Sequence, residues 1–523
     1  MSDPRTSDPD LPNELIPGAV VREGHQSFTY GGRVESFPDG FTDWNLKADL
    51  VTIVTGFGGP LEAMVIADRL RQRGQRRMVI LDAAGQRSED IVRVWEQQLN
   101  EMPLPTAGAH AIFRLPGAPD LQDLLTDAFV AQSRDRILSM NAIRTFGRDW
   151  VRNSILNLLD LPRWPTVDDL IFRGQPAVII APGPSLEKNA RQVAALKGRA
   201  ILITVAQALP ICRTLGIDPD FAMMLDAADQ TLFLEGSRTP LILGNDVFPA
   251  HFRTGVPVVT FALDNAIGAW CYQALPAPPT LVAGGSVTTS AFALALLWGC
   301  NPIVMAGLDL SYGPAGKLYA CRSVRVREGA AGMGVAEGWD AREHGIIPED
   351  RYRRVSLVSL PGYYGGRVQS DVQFSAFREW FINICKGRRV GQRLVNATEG
   401  GVYIPGMEHV PVASIAALLD APVDAVEVLA RAQARDRSTW RWAIDVQRET
   451  AIEDLREIVA RAEAGDFDGA TAAFRRVPFV ELIRLKEFVD MLTYKDTPAF
   501  LRLLADCARE TLGFFSEAEE ARL

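Results

Sequence analysis

Short apolar runs of four or five residues alternate with helical stretches over the first part of the chain. Leu50-Val51-Thr52-Ile53-Val54 is rich in β-branched residues and leads into Gly56-Phe57-Gly58-Gly59-Pro60. Leu61 to Arg73 then has helical character, closed by Gly74, and Met78-Val79-Ile80-Leu81-Asp82 reads as a second strand ending in an acid. Strand, glycine-rich turn, helix and strand make one βαβ unit. Its glycine spacing is not G-x-G-x-x-G, and Pro60 is an odd opener for a phosphate-binding helix. A structural Rossmann-like domain over 46–165 is therefore expected rather than a dinucleotide or S-adenosylmethionine site. Residues 1–45 read as a leader with some strand content.

Residues 133–160 look helical, and Leu161-Pro162-Arg163-Trp164-Pro165 breaks the pattern. A domain boundary is expected there. A second α/β domain, 166–407, carries strands at Ala177–Ala181, Ala200–Thr204, Phe221–Leu225 and Pro302–Ala306. Continuous apolar strands separated by helices indicate a parallel sheet covered on both faces. After Pro411 glycine thins out. Ile452, Leu455, Val459 and Ala462 share one helical face, and Gly465 can end that helix, so 408–523 is expected to be an all-α domain.

Composition narrows the function. The 523 residues are 47 % hydrophobic and 23 % charged, an ordinary globular profile. Lys+Arg 55 against Asp+Glu 64 gives a net charge of -9, which argues against a nucleic-acid partner. The N-terminal stretch lacks a basic start and an apolar core, and the longest apolar run, Ala291–Trp298, is too short to span a membrane. The six cysteines are scattered without a C-x-x-C pair. These features lead to the expectation of a cytoplasmic protein with reduced thiols.

Six motifs could carry chemistry. Ala181-Pro182-Gly183-Pro184-Ser185-Leu186 follows a strand and opens a helix, where backbone amides can meet a phosphate or ribose. Gly284-Gly285-Ser286-Val287-Thr288-Thr289-Ser290 precedes an apolar helix and offers more small and hydroxyl residues than a cap requires. Gly307-Leu308-Asp309-Leu310-Ser311-Tyr312 ends a strand, where ligands of open α/β sheets bind, and Tyr319 follows. Asp226 and Asp229 stand three apart at another strand end, suited to a cation or to capping. His344 lies in a polar loop within reach of general-base chemistry near neutral pH. Asn396-Ala397-Thr398-Glu399-Gly400-Gly401 supplies donors and acceptors in a tight turn.

The order GPSLEKN, GIDPDF, LD, GGSVTTSAFALAL, GLDLSY and NATEGG, over about residues 46–407, resembles the motility accessory factor (Maf) family, bacterial glycosyltransferases of flagellin. The same core resembles archaeal 6-hydroxymethyl-7,8-dihydropterin diphosphokinases, the MptE-like proteins. Residues 289–296 through Asp309 are also similar to bacterial sialyltransferases that use CMP-sialic acid. The fold implied is a Rossmann-like N-terminal domain, a central sialyltransferase-like (GT-A-like/Rossmann) domain and an all-α C-terminal domain. The activity implied is inverting transfer of a pseudaminic- or legionaminic-type nonulosonic acid from CMP to Ser/Thr of flagellin.

Carried over, His344 is the expected base, Tyr312 and Tyr319 stabilise the departing phosphate, and Asp309 completes the catalytic set. Gly183, Pro184, Ser185, Asp226, Gly285, Ser286, Thr288, Thr289, Asn396 and Glu399 are the expected nucleotide-sugar contacts. No metal is obligatory; Asp226 and Asp229 would hold Mg if one is used. Many Maf members have histidine where this chain has Tyr319, a departure from the family pattern at that position. The helical tail is expected to recognise flagellin or to serve packing or homo-oligomer formation. The alternatives are a Mg-ATP-dependent pterin diphosphokinase and a motility scaffold with a degenerate site.

Overall fold

Burial of apolar strands on both faces explains most of the architecture. The computed structural model describes residues 142–281, 284–313, 319–320, 357–417, 419, 422–485, 487–488 and 497–521. Ahead of these it describes the strand segments 20–22, 27–30, 33–36, 48–55, 78–83 and 109–114, with single positions between 85 and 124. Two compact units divide between Ala142 and Ile143.

In the first unit β1 (Val20–Arg22), β2 (Ser27–Tyr30) and β3 (Arg33–Ser36) form an antiparallel sheet. β4 (Ala48–Thr55) pairs in parallel with β5 (Met78–Asp82) and β6 (Ala109–Arg114). The expected strand pair is thus present. The Gly56–Pro60 turn and the helix expected at 61–73 lie outside the described residues.

The second unit is built on nine parallel strands. They are β7 (Ala177–Ile180), β8 (Ile201–Val205), β9 (Phe221–Met224), β10 (Leu241–Gly244), β11 (Val258–Leu263), β12 (Thr280–Leu281), β13 (Ile303–Ala306), β16 (Leu394–Asn396) and β17 (Glu408–His409). An antiparallel hairpin, β14 (Leu357–Pro361) and β15 (Arg367–Asp371), stands apart from this sheet. The sheet order is β12-β11-β10-β9-β8-β7-β13-β16-β17. From β7 the chain winds outward one way as far as β12, then returns to place β13 on β7's other side. The β7/β13 seam is therefore the topological switch point, where open α/β sheets leave a crevice beyond the carboxyl ends of the strands.

Side chains alternate across the strands. Ile179 and Ala181 face Phe172, Phe221, Phe292 and Trp298, while Val178 and Ile180 face Leu186, Val193 and Ile211. The C-terminal region is helical, with Ser438–Glu463 and Thr497–Glu520 as its longest helices. Trp270, beside β11, packs on Phe479 and Phe515 of that region with ring centroids 4.7 and 6.4 Å apart. Residues from the sheet, from helix 142–157 and from the C-terminal helices form one core cluster.

This corrects the expected boundaries. Leu161–Pro165 is no linker: Leu161 is fully buried, and the Pro165 carbonyl accepts from Thr260 N at 2.8 Å. Proline interrupts the helix there, but the chain continues inside the same core. The same helix anchors the end of β10, because Asn157 Nδ2 donates to the carbonyls of Asn245 (3.0 Å) and Val247 (2.8 Å). Asn157→Ala strands two buried carbonyls. It should lower stability by about 2–4 kcal/mol, read as a lower denaturant midpoint.

Candidate active site

The carboxyl ends of β7, β8, β9 and β13 open onto a cavity of about 710 Å³. Its floor is Ala181, Pro182, Gly183 and Gln207. One wall is Asp226 and Gln230, another is Gly285, Ser286, Val287 and Thr288, and the 307–312 loop with Tyr319 forms a third. Asp371, Phe374 and Phe377 of the helix Val372–Lys386 and its cap complete the lining.

Glycines let three loops converge here. A methyl at Gly183 would overlap the Asp309 carboxylate and the Gly307 carbonyl, and one at Gly400 would overlap Ser185 Oγ. Gly307 (φ +69°) and Gly401 (φ +70°) adopt left-handed backbone, and each faces a carbonyl, of Ala181 and Asp309 respectively. Asp309 sits at the centre. Its Oδ2 accepts from Ser185 N at 3.1 Å and its Oδ1 from Ser185 Oγ at 2.5 Å. Burial raises this carboxyl to about 6, against the lowering effect of the two Ser185 hydrogen bonds. Asp309 and Ser185 thus engage one another: the serine hydroxyl donates to the aspartate.

The second anion-ready element is the helix Val287–Leu297. Ser286 caps it, accepting from Thr289 N at 3.2 Å, while Thr289 Oγ1 accepts from Gly284 N at 3.1 Å and Ser286 N at 3.2 Å. Val287 and Thr288, next in the first turn, line the cavity, where the positive end of the helix dipole favours an anion. Gly284 has no room for a side chain against the Trp380 indole.

On the opposite loop, Tyr312 is buried, and its hydroxyl donates to Asp371 Oδ2 at 2.6 Å. Asp371 also caps its own helix, accepting from Phe374 N at 2.7 Å.

The expected site residues therefore divide. Gly183, Asp226, Gly285, Ser286, Thr288, Asp309, Tyr312 and Tyr319 line the cavity together. Pro184, Ser185 and Thr289 lie behind it as loop and cap. Asn396 and Glu399 are not in the lining. Asn396 ends β16 fully buried and accepts from Thr398 N at 3.1 Å rather than standing in an open turn. Glu399 Oε1 accepts from Val412 N at 3.1 Å. Thr398 Oγ1 accepts from Leu308 N at 3.0 Å, so this loop braces the site from behind.

Asp226 closes its own turn, accepting from Ala228 N at 3.1 Å and from the Gln230 amide. Asp229 lies outside the lining and accepts from Thr231 N at 2.9 Å; the Thr231 hydroxyl holds its carboxyl below the usual range. Among the described residues no three His, Cys, Asp or Glu side chains form a metal-holding group. His344 lies outside the described residues.

Gln207, Gln230, Asp371, Phe374 and Phe377 were not among the expected residues. Asp371 carried a readable signal, since an acid directly before a helical run is a start signature. The helix that it caps starts at Val372.

The family model described as "6-hydroxymethylpterin diphosphokinase MptE-like" matches residues 152–314, a range that includes GPSL and GLDLSY. An uncharacterized protein of Treponema pallidum (strain Nichols) is 32 % identical over 85 residues, 16 % of this chain and 39 % of that protein. The match thus spans well under half of that relative. Among solved structures, the MAf glycosyltransferase from Magnetospirillum magneticum AMB-1 aligns with a TM-score of 0.53 at 16 % identity, covering 90 % of this chain and 79 % of that one. The likeness is one of fold. Both findings agree with the resemblance carried by the motif order, and the fold class expected from the sequence is the one observed. No helix among the described residues is long and apolar enough to cross a membrane.

Proposed function

We propose that this chain is an inverting glycosyltransferase. It moves a nonulosonic acid of the pseudaminic or legionaminic type from its CMP donor to a serine or threonine hydroxyl of flagellin. One observation carries the reading: a cavity of about 710 Å³ at the switch point joins a glycine-lined strand end to a helix N-terminus. That volume falls within the roughly 300–1,000 Å³ of small-molecule sites.

Charge supports a donor with a single phosphate. No described lining residue is Lys, Arg or His, and three are acids, Asp226, Asp309 and Asp371. A phosphodiester carrying one charge can be met by the Gly183 loop and the Val287–Leu297 helix end, with Tyr319 as a further donor. A triphosphate in the same place would need a cation to offset the acids. The fold likeness to a glycosyltransferase supports the same reading. On this reading the helical C-terminal region offers the surface for flagellin.

A Mg-ATP-dependent pterin diphosphokinase is the second reading, favoured by the description of the matched family model. Asp226, Asp229 and Asp309 would be its metal candidates. Their engagement with Gln230, Thr231 and Ser185 weighs against it.

Calorimetry with CMP and ATP, each with Mg and with EDTA, separates the readings. CMP binding that survives EDTA is expected. Mg-dependent ATP binding without a CMP signal would sink the transferase, and binding of neither nucleotide would favour a scaffold.

A further inference from the structure

The described lining holds three carboxylates, each accepting two hydrogen bonds, and they differ in where those bonds hold them. Asp309 is tied to Ser185 beneath the glycine loops, and Asp226 closes its own turn. Asp371 is held differently. It lies at the junction of β15 and the helix Val372–Lys386, 8 % exposed, in the cavity wall.

Both ends of this carboxylate are fixed: Oδ1 by Phe374 N at 2.7 Å, Oδ2 by the Tyr312 hydroxyl at 2.6 Å. Its backbone is also locked to the Tyr312 loop. Tyr312 N donates to Gln369 O at 2.9 Å, and Ser370 Oγ donates to Leu310 O at 2.8 Å. Two donors occupy two of about four lone-pair sites on an ionised carboxylate, so each oxygen can still accept a proton. The Tyr312 hydroxyl, in turn, points its proton at Asp371. A neutral hydroxyl placed beside Asp371 can donate to it, whereas a phosphate there would meet a like charge.

We propose that Asp371 is the general base of the transfer and that Tyr312 is its positioning residue. The inference rests on the transferase reading above. The acceptor oxygen bonds to the anomeric carbon through its own lone pair, and its proton passes to Asp371. The anomeric carbon–oxygen bond to the donor phosphate breaks, and its electron pair leaves with CMP. Asp371 then releases the proton to solvent. Tyr312 takes no proton; it fixes the carboxylate's direction and packs on Phe374 with ring centroids 5.9 Å apart.

The test uses the full chain, CMP-pseudaminic and CMP-legionaminic acids, and recombinant flagellin. Asp371→Asn and Asp371→Ser each keep a side-chain oxygen for the helix cap. Both should lower kcat by about 10²–10⁴-fold while leaving the donor KM within about threefold and CMP affinity by calorimetry unchanged. Tyr312→Phe should lower kcat by about tenfold with the same unchanged donor KM. Transfer within about threefold of wild type in Asp371→Asn, with His344→Ala abolishing it, gives the proton to His344 and overturns the proposal. CMP affinity falling in step with transfer in both Asp371 variants makes the residue a structural cap and also overturns it. A wild-type chain that transfers nothing from either donor fails the transferase reading itself, and the role of Asp371 falls with it.

Discussion

Gly307→Ala should cost about 2–4 kcal/mol of stability and abolish CMP binding. Two effects add. The backbone at 307 is left-handed (φ +69°), which an alanine adopts only with strain. The new methyl would also overlap the Ala181 carbonyl and lie 3.2 Å from Leu186 Cβ. Neither obstacle is a flexible side chain, so the seam between β7 and β13 must open. That opening displaces Gly183, whose amide donates to the Gly307 carbonyl at 2.9 Å, and with it the floor of the cavity.

Gly174 isolates the first effect. It is also left-handed (φ +73°), but a methyl there meets nothing within 4 Å. Gly174→Ala should cost about 1 kcal/mol and leave CMP binding intact. Denaturant midpoints and calorimetry on both variants are the measurement. Equal losses in the two would mean that steric convergence of the loops is not what Gly307 provides.

How far such a site can be read from sequence depends on how local each constraint is. β7, β8, β9 and β13 were legible because their apolar runs are continuous, as burial on both faces demands. The GPSL, GGSVTT and GLDLSY motifs were legible because glycine and hydroxyl residues cluster where a strand meets a helix or loop. What each residue touches was not legible. Ser185 and Asp309 are 124 positions apart, and nothing local says that they satisfy one another rather than a ligand. Asn396 and Glu399 look like binding residues because turn chemistry and ligand chemistry use the same side chains. Asn396 accepts from the Thr398 backbone amide, and Glu399 from the Val412 backbone amide and the Asn189 side chain. The expected boundary at 161–165 failed for a related reason. Proline marks a break in a helix, but not whether the chain leaves the core there.

Asp309 makes the second large effect testable through pH. Burial raises its carboxyl from 3.8 to about 6, so between these values the folded protein holds a proton that the unfolded chain has released. Stability contributed by this group therefore falls as pH rises from about 4 to about 6, by on the order of 3 kcal/mol, and is level above.

Asp309→Asn removes the titration without removing the partners. An asparagine oxygen can accept from Ser185 N, and its amide can donate to Ser185 Oγ. The stability of the variant relative to wild type should therefore improve by on the order of 3 kcal/mol between pH 4 and pH 7. Asp309→Ala should instead lose about 2–4 kcal/mol at every pH, because it leaves the buried Ser185 amide without an acceptor and opens a void. Denaturant titrations of the three proteins at pH 4, 5, 6 and 7 decide the matter. Parallel curves for wild type and Asp309→Asn would mean that the carboxyl titrates at its ordinary value, its burial offset by the Ser185 hydrogen bonds or by solvent.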